Sequence, residues 1–163
     1  MKRAFTLIEL MVSVIIITLV SGGALVYLNK FNSRQKLEKT KEEVVAAIKL
    51  VQNSAKARQL PPNSDEAELK YITLELSGGL MTASINGVGE SYFSKKVNDS
   101  QTTVVFSRSP IYYWPGIGRL ATGIGGTPYG VGNTETITIT QTIESTEKYL
   151  IRINAMGQIE KVE

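Results

Sequence analysis

Between Phe5 and Leu28 the only charged residue is Glu9, and from Leu10 to Leu28 nineteen consecutive residues carry no charge and are mostly apolar. At 1.5 Å per residue such a run crosses a hydrocarbon core of about 30 Å as a helix. This stretch restricts the chain more than any other, because it must lie in lipid or against other apolar helices. It exceeds the roughly 7 to 15 residues of a secretory h-region. Ser21-Gly22-Gly23-Ala24 is the one place where a signal peptidase could cut. Lys2 and Arg3 precede the run and put the N-terminus on the cytoplasmic side, with the remainder facing outward. Glu9 is the anomaly, since a charge within a membrane helix costs on the order of 2.5 to 3.5 kcal/mol at the bilayer centre.

Beyond Leu28 the helical pattern continues in amphipathic form. Leu37, Val44, Ile48, Val51 and Ala55 share one face, no proline or glycine interrupts 24–60, and Pro61-Pro62 ends the run. One helix from about Phe5 to Arg58 is therefore expected, its outer stripe packed on a globular head. Residues 30–58 carry eight Lys and Arg against three Glu, whereas 59–163 carry eight against eleven acidic residues. The basic excess suits a helix beside anionic headgroups, and DNA binding is unlikely for a net acidic head.

After the prolines the period changes to two. Strands are expected at Lys70 to Leu76, Val88 to Phe93, Thr102 to Ser107, Ile111 to Trp114, Glu135 to Ile143, Lys148 to Asn154 and Gln158 to Val162, with Asn86-Gly87 as a hairpin turn. The fold class is thus α+β, a long N-terminal helix with a mostly antiparallel β head on its outer half. The domain reading is 1–4 leader, 5–28 membrane or filament-core helix, 29–60 outer amphipathic helix and 61–163 head.

Chemistry is limited by composition. With no cysteine and no histidine, disulfides, thiol nucleophiles, Cys/His zinc sites and histidine bases are excluded. The glycine-rich Gly116 to Gly132 lacks the Gly-Lys-Ser/Thr of a phosphate loop and reads as a long exposed loop flanked by Tyr112, Tyr113, Trp114 and Tyr129. Those aromatics read either as contact residues or as half-buried strand packing. Asn63 to Glu66 and Asn98 to Ser100 are oxygen-rich, but their spacing fits turns better than calcium. No catalytic residue, cofactor or metal site is expected.

The segment Lys2-Arg3-Ala4-Phe5-Thr6-Leu7-Ile8-Glu9-Leu10-Met11-Val12 resembles the basic leader and FTLIEL signature of type IV pilins and type II secretion pseudopilins. The resemblance implies cleavage by a prepilin peptidase between Ala4 and Phe5, N-methylation of Phe5, and Glu9 as the residue that sets register during assembly. Ala4 stands where the family usually has glycine, and Val26 lies where a helix proline is common. Gly22-Gly23 is then the weak point of the helix.

Val44 to Arg58 and Tyr149 to Val162 further resemble the GspH/FimT group of minor pseudopilins. The implied partners are other pilins through the N-terminal helix, the peptidase, an assembly platform and the inner membrane, with the head in the periplasm or outside the cell. The implied function is a filament subunit of a type IV pilus or type II secretion system. A single-span anchored binding domain that never polymerises, and a minor pilin for DNA uptake, are the alternatives.

Overall fold

The computed structural model of the chain describes residues 5–60, 71–85, 91–123, 133–142 and 147–163. The Ala4 side of the cleavage position, Pro61-Pro62, Asn63 to Glu66, the Asn86-Gly87 turn, residues 124–132 with Tyr129, and Ile143 lie outside the described residues. Helix α1 runs from Leu7 to Ala57, close to the bounds expected from the uninterrupted pattern. The chain divides into two compact units, Met1–Gln35 and Lys36–Glu163.

In the first unit α1 buries almost nothing. Phe5, Leu7, Ile8, Leu10, Ile17, Leu19 and Val20 are all exposed, as an apolar helix is when its solvent is lipid or other helices. The described part of this helix is long and apolar enough to cross a membrane, with mean hydropathy 2.3 over 18 residues.

In the second unit the outer part of α1 supplies one wall of the core. Leu37, Val44, Ile48, Val51 and Ala55 are each buried to 2 % exposure or less, so the stripe read from spacing is the packed face. Among the described residues nine strands complete the unit: β1 (Ile72–Ser77), β2 (Leu80–Ile85), β3 (Ser91–Lys96), β4 (Thr102–Phe106), β5 (Ile111–Tyr113), β6 (Leu120–Ala121), β7 (Thr134–Gln141), β8 (Lys148–Asn154) and β9 (Ile159–Val162). They form two antiparallel sheets, ordered β3-β2-β1-β5-β6 and β4-β7-β8-β9. The inward residues of both, among them Leu74, Met81, Ile137, Ile139, Ile151 and Ile153, join the helix stripe in one cluster.

Two features of the head depart from the sequence reading. β2 is absent from the sequence reading: Met81, Ala83 and Ile85 do alternate inward with Thr82 and Ser84, but Ala83 and Ser84 are small and carry little strand preference. It is set by Gly78-Gly79, with φ of 57° and 80°, the double left-handed turn that joins β1 to β2 with Ser77 opposite Leu80. The start of the glycine-rich segment is likewise not an exposed loop. The Gly116 N–H donates to the Ala55 carbonyl (2.6 Å), Gly118 is buried, and Leu120 and Ala121 form the buried strand β6 against β5. The last carbonyls of α1 lack the usual helical donor; that of Ala55 accepts the Arg58 N–H at 3.2 Å and takes the Gly116 N–H as a second donor. Among the flanking aromatics, Tyr113 is fully buried while Tyr112 and Trp114 are half-buried. Tyr71 meets Tyr112 and Trp114 edge to face at 6.1 and 5.6 Å.

Polar contacts fasten the outer helix to the sheets. Lys36 pairs with Asp99 at 2.7 Å, and Lys95 of β3 pairs with Glu43 at 2.7 Å. Glu38 binds Lys41 and accepts a hydrogen bond from the Tyr149 hydroxyl at 2.6 Å. The Lys41 ammonium lies 4.5 Å from the Tyr149 ring centroid. Asp99 Oδ1 also accepts from the Gln101 and Thr102 N–H groups at 2.7 and 2.9 Å, so the Asn98 to Ser100 stretch is a turn built on backbone bonds. Burial opposes its ionisation, yet Lys36 and those two N–H groups prevail and bring the Asp99 carboxyl down to about 2. Lys41 and Tyr149 hold the Glu38 carboxyl below the usual range.

Candidate functional site at the N-terminus of the helix

The first four N–H groups of a helix have no partner within it, and Thr and Glu three positions apart can close that gap reciprocally. Thr6 and Glu9 do so here. The Thr6 N–H and the Thr6 hydroxyl both donate to Glu9 Oε2 at 2.9 Å, and the Glu9 N–H donates to Thr6 Oγ1 at 3.3 Å. Further along, Ser13 Oγ donates to the Glu9 carbonyl at 2.7 Å and Thr18 Oγ1 to the Val14 carbonyl at 2.9 Å. The Ser13 and Thr18 hydroxyls are thereby satisfied by their own helix, which suits a lipid environment.

Glu9 is thus placed at the head of an exposed apolar helix, one turn from Phe5, whose side chain is 82 % exposed. Both bonds reach Oε2, and Oε1 accepts none among the described residues. Such a carboxylate can cap its helix with one oxygen and leave the other for a cation outside the chain. The sequence reading singled out Glu9 and Phe5 and missed Thr6. Its signal was available, since Thr-x-x-Glu before an apolar run is a helix-start pattern.

Residues 1–25 match the family model of the prokaryotic N-terminal methylation motif. Two crystal structures of the type IV minor pilin FimU from Pseudomonas aeruginosa have a similar fold. The first covers 82% of this chain and 96% of its own, with TM-score 0.59 and 13% identity. The second covers 77% and 91%, with TM-score 0.54 and 13% identity. The chain joins the N-terminal methylation motif of type IV pilins to a pilin fold. No curated protein matches the sequence.

The pilin fold accounts for the division of labour seen above. A helix that is apolar on all sides over its first half is suited to anchoring, and the same helix becomes one-sided where strands cover it. A long apolar N-terminal helix behind the methylation motif fits a membrane-anchored pilin. Among the described residues no group of three or more acidic residues is arranged to hold a metal ion.

Proposed function

We propose that the chain is a filament subunit, a minor pilin or pseudopilin of a type IV pilus or type II secretion system, and not an enzyme. It is stored in the inner membrane with its head outside the cytoplasm. A prepilin peptidase cuts between Ala4 and Phe5 and methylates the new Phe5 amine. On assembly, the apolar helix exchanges lipid for the helices of other pilins above an assembly platform. The likeness to a minor pilin accords with the resemblance to the GspH/FimT group.

The observation that carries this reading is the Thr6–Glu9 pair at the start of the exposed helix. A carboxylate retained in an apolar segment is costly unless partnered, and its second oxygen is open to the positive Phe5 amine of an adjacent subunit. That pairing sets axial register, because a helix displaced along the bundle leaves both charges without partners. The anchored-domain alternative accounts for Glu9 as a cap but leaves its charge and the leader without a use.

Intact-mass measurement of the chain from cells that contain the peptidase tests the reading. The expected product lacks Met1 to Ala4 and carries one methyl group on Phe5. An uncut chain would favour the anchored domain, and a cut near Ala24 would favour secretion.

A further inference from the structure

β4 stands at the edge of its sheet, with β7 on one side only. In an antiparallel pair alternate residues turn both backbone groups to the partner strand, and the others turn theirs away. The bonds from the Ser107 N–H to Thr136 and from the Thr142 N–H to Gln101 put the odd-numbered residues toward β7, so Thr102, Val104 and Phe106 face the open edge. Such an edge is a template for another strand. Gln101 to Ser107 suits that pairing, because it is rich in β-branched residues and has no charge, glycine or proline. The other edges are blunted by length or charge. β3 ends in Lys95 and Lys96, β6 has two residues, and 159–163 carries Glu160, Lys161 and Glu163.

β4 has no such guard of its own, and the residues just before it close its edge instead. The Asn98 side-chain amide pairs with Val104 as a strand residue would: Oδ1 accepts the Val104 N–H at 2.8 Å, and Nδ2 donates to the Val104 carbonyl at 3.4 Å. Asp99 serves Thr102 in the same way. The Thr102 N–H donates to Asp99 Oδ1 at 2.9 Å, and the Thr102 carbonyl accepts the Asp99 N–H at 3.0 Å. Both residues are anchored elsewhere. The Val97 and Asn98 N–H groups donate to the Gly79 carbonyl at 2.9 and 3.2 Å, and a Cβ on Gly79 would stand 2.8 Å from Asn98 Cβ. Asp99 Oδ2 is held by Lys36 of α1 at 2.7 Å. Residues 97–99 are thus tied to the β1–β2 turn on one side and to the helix on the other.

We propose that residues 97–99 are a strap that keeps β4 of a second copy from pairing with β4 of this one. The excluded occupant follows from symmetry. Two such edges set antiparallel about Val104 place Thr102 of each opposite Phe106 of the other, so the same backbone groups meet across a two-fold axis with no charge to oppose them. The inference goes beyond the filament reading and does not rest on it.

The full-length chain in detergent tests the strap. In the unaltered chain the Val104 amide, although on a sheet edge, is expected to exchange its hydrogen nearly as slowly as the Val105 amide that β7 pairs. Exchange at the rate of an unbonded amide overturns the proposal. The chain has no cysteine, so Val105→Cys, at a position 54 % exposed, is a single reporter for a short bismaleimide cross-linker. With the strap intact this variant should stay uncross-linked. Adding Asn98→Ala and Asp99→Ala should shift it to a cross-linked dimer, and further adding Thr103→Lys should lose that dimer by setting like charges across the pair. Cross-linking with the strap intact overturns the exclusion, as does a strap variant that melts cooperatively yet stays uncross-linked, or a dimer indifferent to Thr103→Lys. If the doubly altered strap does not fold, Asn98→Ala alone, which leaves Asp99 on Lys36 and Thr102, is read by the same outcomes.

Discussion

Thr6 and Glu9 share a single oxygen: the backbone N–H and the hydroxyl of Thr6 both reach Glu9 Oε2 at 2.9 Å. The half of the cap that satisfies Thr6 therefore depends on an acceptor at position 9, whereas register pairing depends on its charge. Two substitutions separate these. Glu9→Gln keeps an acceptor oxygen for the cap and loses the charge, while Glu9→Val loses both, at about 1 kcal/mol for the cap. Both variants are expected to insert in the membrane and to lose the leader, and both to incorporate poorly into filaments or into pull-downs with other pilins. Wild-type incorporation of Glu9→Gln would show that the carboxylate serves only as a cap.

Asp99 predicts an acid limit on the stability of the head. Its folded value of about 2 lies below the ordinary 3.8, so ionised Asp99 stabilises the fold above pH 4, and this contribution is lost as pH falls from about 4 to 2. With about a third of the side chain exposed, solvent screening reduces it to about 1 kcal/mol. Asp99→Asn should lower the melting temperature at pH 7 and flatten its fall in that pH window. Calorimetry across pH 2 to 7 reads both effects; parallel curves for the two proteins would refute the assignment.

Gly157 is required for close approach and for its backbone, which has φ of +75°. Gly157→Ala puts a Cβ against the Gly118 carbonyl oxygen and 3.1 Å from Tyr113 Cε1, and is expected to cost about 3 kcal/mol or more. Gly78→Asn is the contrast. Gly78 also has positive φ, but nothing lies within 4 Å of its missing Cβ, and Asn tolerates that conformation, so a change under about 1 kcal/mol is expected. Chemical denaturation of both variants measures the difference.

The Tyr113 hydroxyl is buried with no hydrogen-bond partner among the described residues. Its desolvation is uncompensated, so Tyr113→Phe should be neutral or should stabilise the head by up to about 1 kcal/mol. Tyr113→Ala empties a ring-sized space and should cost about 3 to 5 kcal/mol. A loss on going to Phe would mean that the hydroxyl has a partner.

A fragment starting near Asn29 is expected to be soluble and to melt cooperatively. The core cluster draws on Leu37 and later residues, and none of the apolar run from Leu10 to Leu28 contributes to it. A broad transition with exposed apolar surface would refute this.

What the sequence determined alone is what depends on short-range repetition. The apolar run required an environment without water, the 7-4-3-4 spacing of Leu37, Val44, Ile48, Val51 and Ala55 identified the packed face, and Thr134–Gln141 alternates as strands do. Each of these follows from the period of a helix or strand, which neighbouring residues fix between themselves. Pairing between distant segments has no such local signature. Only the tertiary structure decided that Gly118 and Gly157 meet at van der Waals limits over the end of α1, that Leu120 and Ala121 form a strand inside a glycine-rich stretch, and that Asp99 reaches back to Lys36. Glycines permit many backbone paths, and the choice among them is made by contacts with residues far away in the chain, as where Gly116 donates to the Ala55 carbonyl and Gly157 meets Gly118.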